Sequence, residues 1–383
     1  MNLRRVPLLA DESADWIVAG LRQLDRLALS IDEFAVENKE TAPIQVCIFW
    51  HPDLDQSQHW TPASPRLTKV AFTTETENDG QPYDLILSTR LFLYRKSIPQ
   101  LIDGTCLPLV QPPSWENYFK VTKQATPVRA GMWEYISDGN EIDRIETEFL
   151  RSSGKTQDGW VSRHLNRRIS STITRLLLRF PTTPNAWTWL IFPIPIVASF
   201  ILSLGTYWSF VWGLVLFQVF SILDGCDGEI ARAKFMESKR GRRLDDLFDV
   251  LSNILLVVGL GFGLRQAHPQ FGWLYLVEGI VGGVLIAINE WHLATRKPVP
   301  AGEATADSLG GALYPRHRDL VERSGLLRFG EKFASLLIQL TKRDVAVLFF
   351  VFLAAIGFPS LILHLLLVVT AASLGLALKA RLL

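Results

Sequence analysis

From residue 186 onward the chain is dominated by apolar runs close to the roughly 20 residues that a helix needs to cross a bilayer. Six can be drawn, at about Ala186–Leu204, Trp208–Ile230, Leu244–Leu264, Phe271–Leu293, Val345–Phe358 and Leu361–Leu378. The fifth is short, and Pro359 makes its hairpin to the sixth tight. Hydrocarbon offers backbone N–H and C=O groups no water, so runs of this kind are expected to be helices. The short connections at 205–207, 265–270 and 359–360 hold one basic residue, Arg265. The opposite side holds Arg232, Lys234, Lys239, Arg240, Arg242 and Arg243, then a basic segment at 294–344 and Lys379 and Arg381 in the tail. The positive-inside rule then places both termini on the cytoplasmic face of the cell inner membrane, as a multi-pass protein. The predicted fold class is an α-helical integral membrane domain of six transmembrane helices, preceded by a soluble α/β domain.

Residues 1–150 read as that first, cytoplasmic domain. Ser13 to about Phe34 has helical apolar spacing (Trp16, Ile17, Leu21, Leu24, Leu27, Leu29, Ile31, Phe34), with Ser13 as its N-cap. Ile44–Trp50 reads as a buried strand, Leu67–Phe72 and Asp84–Leu87 as weaker strands, and Glu141–Leu150 as a helix. The alternation predicts an α/β layer. Residues 151–182 form a linker and a cationic amphipathic helix. Arg163, His164, Arg167, Arg168, Arg175 and Arg179 oppose Trp160, Val161, Leu165, Ile169, Ile173, Leu176 and Leu177. That helix is expected to lie at the interface beside anionic lipid. Residues 183–383 are the six-span domain.

Composition removes several classes. Apolar residues at 48% and charged residues at 20% exclude a disordered chain. Lys+Arg (39) nearly balance Asp+Glu (38), which argues against nucleic acid held by bulk charge. Three widely spaced cysteines, Cys47, Cys106 and Cys226, make neither a disulfide framework nor a zinc site. The opening MNLRRVPLLADESADW has no apolar run long enough for a signal peptide.

The chemistry concentrates in Asp224-Gly-Cys-Asp227-Gly228-Glu-Ile-Ala231-Arg232, followed after eight residues by Gly241 and then by Asp245 and Asp249. Carboxylates beside a membrane span are costly and mark function. Asp224 and Asp227 share one helix face, as do Asp245 and Asp249. The two pairs sit at the adjoining ends of consecutive antiparallel spans, so they must converge. Converging carboxylates repel one another and call for hard cations: Mg²⁺, Mn²⁺ or Ca²⁺. Paired divalent ions suit phosphoryl transfer. Gly225, Gly228 and Ala231 leave room for a nucleotide, and Arg232 suits a phosphate oxygen. Asp246 lies round the helix from Asp245 and reads as a surface acid.

The pattern D-x2-D-G-x2-A-R-x8-G-x3-D-x3-D, matched at Asp224, Asp227, Gly228, Ala231, Arg232, Gly241, Asp245 and Asp249, resembles the signature of the CDP-alcohol phosphotransferases. The likeness covers about residues 155–383 and includes the Thr183-Pro184-Asn185 entry to the first span. It implies transfer of a phospho-alcohol from a CDP-alcohol donor to an acceptor alcohol with release of CMP. It also implies two ions of Mg²⁺ or Mn²⁺, membrane lipid as a partner, and a homodimer. By position, Asp224, Asp227 and Asp245 would hold metal. Asp249 would be the general base and also lie near metal. Arg232 would act in catalysis, and Gly225, Gly228, Ala231, Arg232 and Gly241 would line the nucleotide. The layout is most similar to the di-myo-inositol phosphate phosphate synthase branch, through the run at 156–168 and Lys342-Arg343-Asp344. That branch carries a nucleotidyltransferase domain in front. Here Leu8-Leu9-Ala10-Asp11-Glu12-Ser13 lacks the glycines of a phosphate loop, so the N-terminal domain is expected to be inactive. The competing class is a cation transporter or channel that uses the acids as an ion site, and the x8-G-x3-D-x3-D spacing argues against it.

Weaker candidates are Asn289, Glu290 and His292 for the acceptor, and Arg175, Lys297, Lys342 and Arg343 for a phosphate. Glu278 reads as an acid near the outer end of the fourth span. Trp187, Trp208, Trp273 and Trp291 read as interface anchors.

Overall fold

A computed structural model describes residues 3–51, 54, 66–74, 83–103, 132–152, 161–294 and 343–382. The linker at 153–160, Cys106, Lys297, Lys342 and the basic loop lie outside the described residues, as do the side chains of Glu290, His292 and Arg343. The chain divides into two compact units. The first is Met1–Ser153 with Arg175–Pro181 and Ala231–Met236, and the second is Gly154–Thr174, Thr182–Ile230 and Glu237–Leu383.

The first unit is built on a parallel sheet. Its strands are β1 (Arg5–Ala10), β4 (Ile44–Trp50), β5 (Val70–Thr74) and β6 (Leu87–Ser88), in the order β5-β4-β1-β6. β1 runs in register with β4 from Arg5↔Gln45 to Ala10↔Trp50, and pairs with β6 at Leu8↔Leu87. All six residues of β1 are buried, as a central parallel strand requires. Helix α1 (Gln23–Glu37) packs Leu24, Leu27 and Ile31 into the core with Val6, Leu8, Val46 and Ile48. An antiparallel pair, β7 (Leu91–Leu93) and β8 (Trp133–Tyr135), and helices α2 (Ile98–Asp103) and α3 (Ile142–Ser152) complete it.

The helix expected from Ser13 begins ten residues later. A 3₁₀ turn at Glu12–Asp15 and a small hairpin, β2 (Ile17–Val18) with β3 (Leu21–Arg22), take its place. The hairpin turns on Ala19 and Gly20, both at positive φ (48° and 76°). No helix passes through such a pair. Asp11, not Ser13, is the cap: its carboxylate accepts from the Ser13 N–H at 2.9 Å.

The second unit is helical. Four stretches are long and apolar enough to cross a membrane: Pro184–Ser203, Tyr207–Ala233, Lys239–Ala267 and Gly272–Asn289. Two shorter apolar helices follow, Val345–Ala355 and Pro359–Ala372. The elements are α4 (Arg167–Leu177, preceded by a π turn at Ser162–Asn166), α5 (Pro184–Ile191), α6 (Pro193–Ser203), α7 (Tyr207–Ala233), α8 (Lys239–Ala267), α9 (Gly272–Ala294), α10 (Arg343–Ala355) and α11 (Pro359–Leu382). Pro193 splits the first stretch into α5 and α6. α8 and α9 touch backbone to backbone at Gly261 and Gly279, where a Cβ on Gly261 would stand 2.9 Å from the Tyr275 carbonyl. Leu190, Phe200, Trp212, Val277 and Val284 remain exposed, the composition of a lipid-facing surface.

Candidate active site

The ends of α7 and α8 are defined by local chemistry. Thr206 and Ser209 cap the start of α7 reciprocally, each side-chain oxygen accepting the other's N–H, at 2.9 and 3.2 Å. Ser238 caps α8, its hydroxyl accepting the Gly241 N–H at 2.9 Å. Thr183 caps α5 ahead of Pro184, accepting from the Ala186 N–H.

These elements gather Asp224 and Asp227 of α7 with Asp245 of α8. One carboxylate oxygen from each lies within 4.8 Å of the others. Asp227 is 7% exposed, and the other two are half-buried. Its orientation is fixed: the Thr188 hydroxyl donates to Oδ2 at 2.8 Å and the Gly228 N–H donates to Oδ1. Trp187, one residue earlier on α5, donates its indole N–H to the Leu223 carbonyl at 2.9 Å beside Asp224. Trp187 is thereby tied to the site helix, whereas Trp208, Trp273 and Trp291 stand exposed. The donor set is three hard oxygens from groups that repel one another when ionised. It fits a divalent cation of the Mg²⁺, Mn²⁺ or Ca²⁺ kind.

Asp249 stands one turn further along α8, half-buried and outside the set of three. Asp246 is exposed. Gly225 is exposed, and a Cβ there would make only an ordinary 3.8 Å contact with Ser170, so internal packing does not require a glycine. Gly241 differs: a Cβ would come within 3.0 Å of both Asn185 Oδ1 and Ser238 Oγ, tighter than side chains normally sit. Gly228, Ala231 and Arg232 follow on α7, with Gly228 and Ala231 on the Asp224 face at helical spacing.

Glu229 carries no signal in the motif reading, yet it is 1% exposed. It accepts from Ser170 Oγ (2.7 Å) and Thr174 Oγ1 (2.6 Å), with Arg167 Nη1 at 3.5 Å. Gln218 on the same face of α7 donates to Asn166 Oδ1 at 3.0 Å. The segment at 161–174 therefore turns Asn166, Ser170, Ser171 and Thr174 inward and leaves Leu165 and Ile169 exposed. The available signal was the run Ser170-Ser171-Thr172-Ile173-Thr174, polar on the inward side.

The weaker candidates separate. Arg175 is engaged by Asp143 and Glu146 of α3. Glu278 meets His364 Nδ1 at 2.6 Å. Asn289 is buried on α9.

Residues 181–369 match the family model described as CDP-alcohol phosphatidyltransferase. The archaetidylinositol phosphate synthase of Aeropyrum pernix is 30% identical over 156 residues, which is 41% of this chain and 68% of that protein. The chain belongs to the CDP-alcohol phosphatidyltransferase family. The family is one of membrane-integral transferases, and membership in it argues against the transporter alternative. The chain is also similar to proteins named bifunctional IPC transferase and DIPP synthase. The one from Thermococcus kodakarensis is 41% identical over 118 residues, 30% of this chain and 26% of its own length. The one from Aquifex aeolicus is 28% identical over 166 residues, 43% of this chain and 37% of its own. The chain thus spans about a quarter to a third or slightly more of the bifunctional relatives it matches.

Proposed function

We propose that this protein transfers a phospho-alcohol from a CDP-alcohol to an acceptor alcohol and releases CMP. The observation that carries the reading is the approach of Asp224, Asp227 and Asp245 to within 4.8 Å across two antiparallel helices. These residues hold the divalent ions, Mg²⁺ or Mn²⁺ and two in number, with Asp249 at the margin. When bound, the metal neutralises charge on the diphosphate. Asp249 takes the proton of the acceptor hydroxyl. The acceptor oxygen forms its bond to the phosphorus that carries the donor alcohol, and the bond from that phosphorus to CMP breaks. Arg232 faces a phosphate oxygen, and Gly225, Gly228, Ala231 and Gly241 leave space for the nucleotide.

The Aeropyrum pernix relative is named archaetidylinositol phosphate synthase, so an inositol phosphate is the acceptor to try first. The short helices Val345–Ala355 and Pro359–Ala372 serve as fifth and sixth spans, shortened at the Gly357-Phe358-Pro359 turn. The site faces the cytoplasm of an inner membrane, the basic segments lie against lipid headgroups, and the protein works as a homodimer. The N-terminal domain does not make the CDP-alcohol. Where a phosphate loop would follow β1, Asp11 is occupied by Ser13, Thr89 and Arg90. The test is CMP release from purified protein given a CDP-alcohol, Mg²⁺ and an inositol phosphate. No CMP from any CDP-alcohol and acceptor pair, with folded protein, overturns the reading.

A further inference from the structure

The end of α7 is not finished by its own backbone alone. Phe235 occupies the residue past the cap at φ 54°, the left-handed conformation that glycine normally supplies there. The Met236 N–H returns to the Ala231 carbonyl at 2.8 Å, and the Phe235 N–H reaches the Arg232 carbonyl at 3.5 Å. Three arginines from the body of the same unit take the carbonyls of this turn. Arg95 Nη1 donates to Arg232 O at 2.8 Å, Arg26 Nη2 to Ala233 O at 3.0 Å, and Arg66 Nη1 to Lys234 O and, at 3.2 Å, to Phe235 O. Each comes from a different part of the sequence: α1, the segment before β5, and the turn after β7.

The strained phenylalanine has a use that a glycine would lack. Its ring lies 4.3 Å from the Arg95 guanidinium and 5.8 Å from that of Arg26. Arg26 is completely buried and also faces the rings of Phe92 and Phe149 at 5.2 and 5.5 Å. It donates to the Val18 and Ala19 carbonyls as well. Burial, and then Arg95 nearby, pull its pKa down to about 9, so it is still a cation at neutral pH. A wholly buried cation is expensive. A helix C-terminus, with its exposed carbonyls and negative dipole end, is a place that rewards one.

The helix so capped is the one that carries Asp224, Asp227, Gly228 and Arg232. We propose that the N-terminal α/β domain is a clamp on the catalytic helix, with Arg26, Arg66 and Arg95 as positioning residues that hold the Arg232–Phe235 turn and thereby the carboxylates upstream of it. The proposal rests on the transferase reading for its effect on turnover, and on the turn itself for its effect on structure.

The test uses the full chain in detergent, with Arg66→Ala, Arg95→Gln and Arg26→Met, and with Ile31→Val as a core change away from the turn. Amide exchange is followed at 231–237 and, as a check on folding, in β1. The Mg²⁺ dependence of CMP release is measured in parallel. Arg66→Ala and Arg95→Gln are expected to speed exchange at 231–237 at least tenfold with β1 still protected. They should raise the Mg²⁺ needed for half-maximal rate by roughly 10-fold, as losses behind a metal ligand do. Ile31→Val should do neither. Unchanged exchange at 231–237 in both folded variants overturns the clamp, as does the same shift in Ile31→Val. Should Arg26→Met unprotect β1, the decision rests on the other two. If the wild type releases no CMP, the transferase reading fails, and exchange alone still decides the clamp.

Discussion

The Ser170 hydroxyl donates to the Glu229 carboxylate at 2.7 Å, on the side of α7 turned away from Asp224. Asp227 and Glu229 are two residues apart on one helix, and neighbours at that spacing face different ways. One is held by Thr188 and the other by Ser170 and Thr174. The helix is thus held from behind by hydroxyls while its other face presents the clustered carboxylates.

Glu229→Ala removes the acceptor of two buried hydroxyls and the carboxylate beside Arg167. Removing one member of a buried, hydrogen-bonded ionic cluster costs on the order of 3 kcal/mol. Glu229→Gln retains an oxygen for one hydroxyl and should lose about 1 kcal/mol. Thermal unfolding in detergent checks both, and equal midpoints for Ala and Gln would remove the hydrogen-bond account.

Thr188→Val tests the orientation of Asp227. The volume is nearly unchanged, but the donor to Oδ2 is gone. The expected result is a 10–100-fold rise in the Mg²⁺ needed for half-maximal CMP release, with little change in the maximal rate. A fall in maximal rate at saturating Mg²⁺ would mean that Thr188 does more than aim a ligand.

Asp224→Asn, Asp227→Asn and Asp245→Asn should each remove metal-dependent CMP release while the protein stays folded. Asp246→Asn, exposed and outside the cluster, should retain it. The comparison of Asp245 with Asp246 is the sharper one, since adjacent residues share every global property except direction.

Much of this site was legible because helical spacing is arithmetic. Asp224 and Asp227, three apart, meet Asp245 where two antiparallel helices adjoin, whereas Asp249, four residues further on, stands outside that set. Glu229 was not legible, because its partners Ser170 and Thr174 lie 59 and 55 residues away and a lone glutamate has no spacing to read. The strand at Ile44–Trp50 was evident from its β-branched and aromatic run. The region from Ser13 was misread because its apolar spacing persists through Ala19 and Gly20, whose positive φ values form a hairpin turn instead. The arginine cap could not be read either, since Arg26, Arg66 and Arg95 share no spacing in the sequence and meet only where the fold brings them to one turn.

The Asp11–Arg90 pair predicts a pH effect. Burial pushes the Asp11 carboxyl up, but hydrogen bonds from Ser13 and Arg90 outweigh it and hold the group below the ordinary carboxylate range. A depressed folded-state pKa gives stability that is present above the unfolded value, about 3.9, and is lost as pH falls through the folded one. Asp11→Asn should therefore lower the unfolding midpoint at pH 7. The gap to wild type should narrow as pH falls below about 4. A gap that stays constant down to pH 3 would show that the carboxylate's charge is not the source.

Asp249 is the base in the proposed reaction. It lies one turn beyond Asp245, half-buried, and outside the three-carboxylate set. Its own backbone carbonyl accepts from the Ser252 hydroxyl at 2.8 Å, which ties down the turn that carries it. A carboxylate at that position is a group that can take a hydroxyl proton. If it is the base, Asp249→Asn should cut the single-turnover rate by about 10²–10⁴-fold. Mg²⁺ and CDP-alcohol binding should change far less than with Asp245→Asn. Both are measured on the same preparation, with binding followed by protection against thermal unfolding. Full recovery of the rate at saturating Mg²⁺ would make Asp249 a fourth ligand only, and the acceptor's proton would then have to leave by another group.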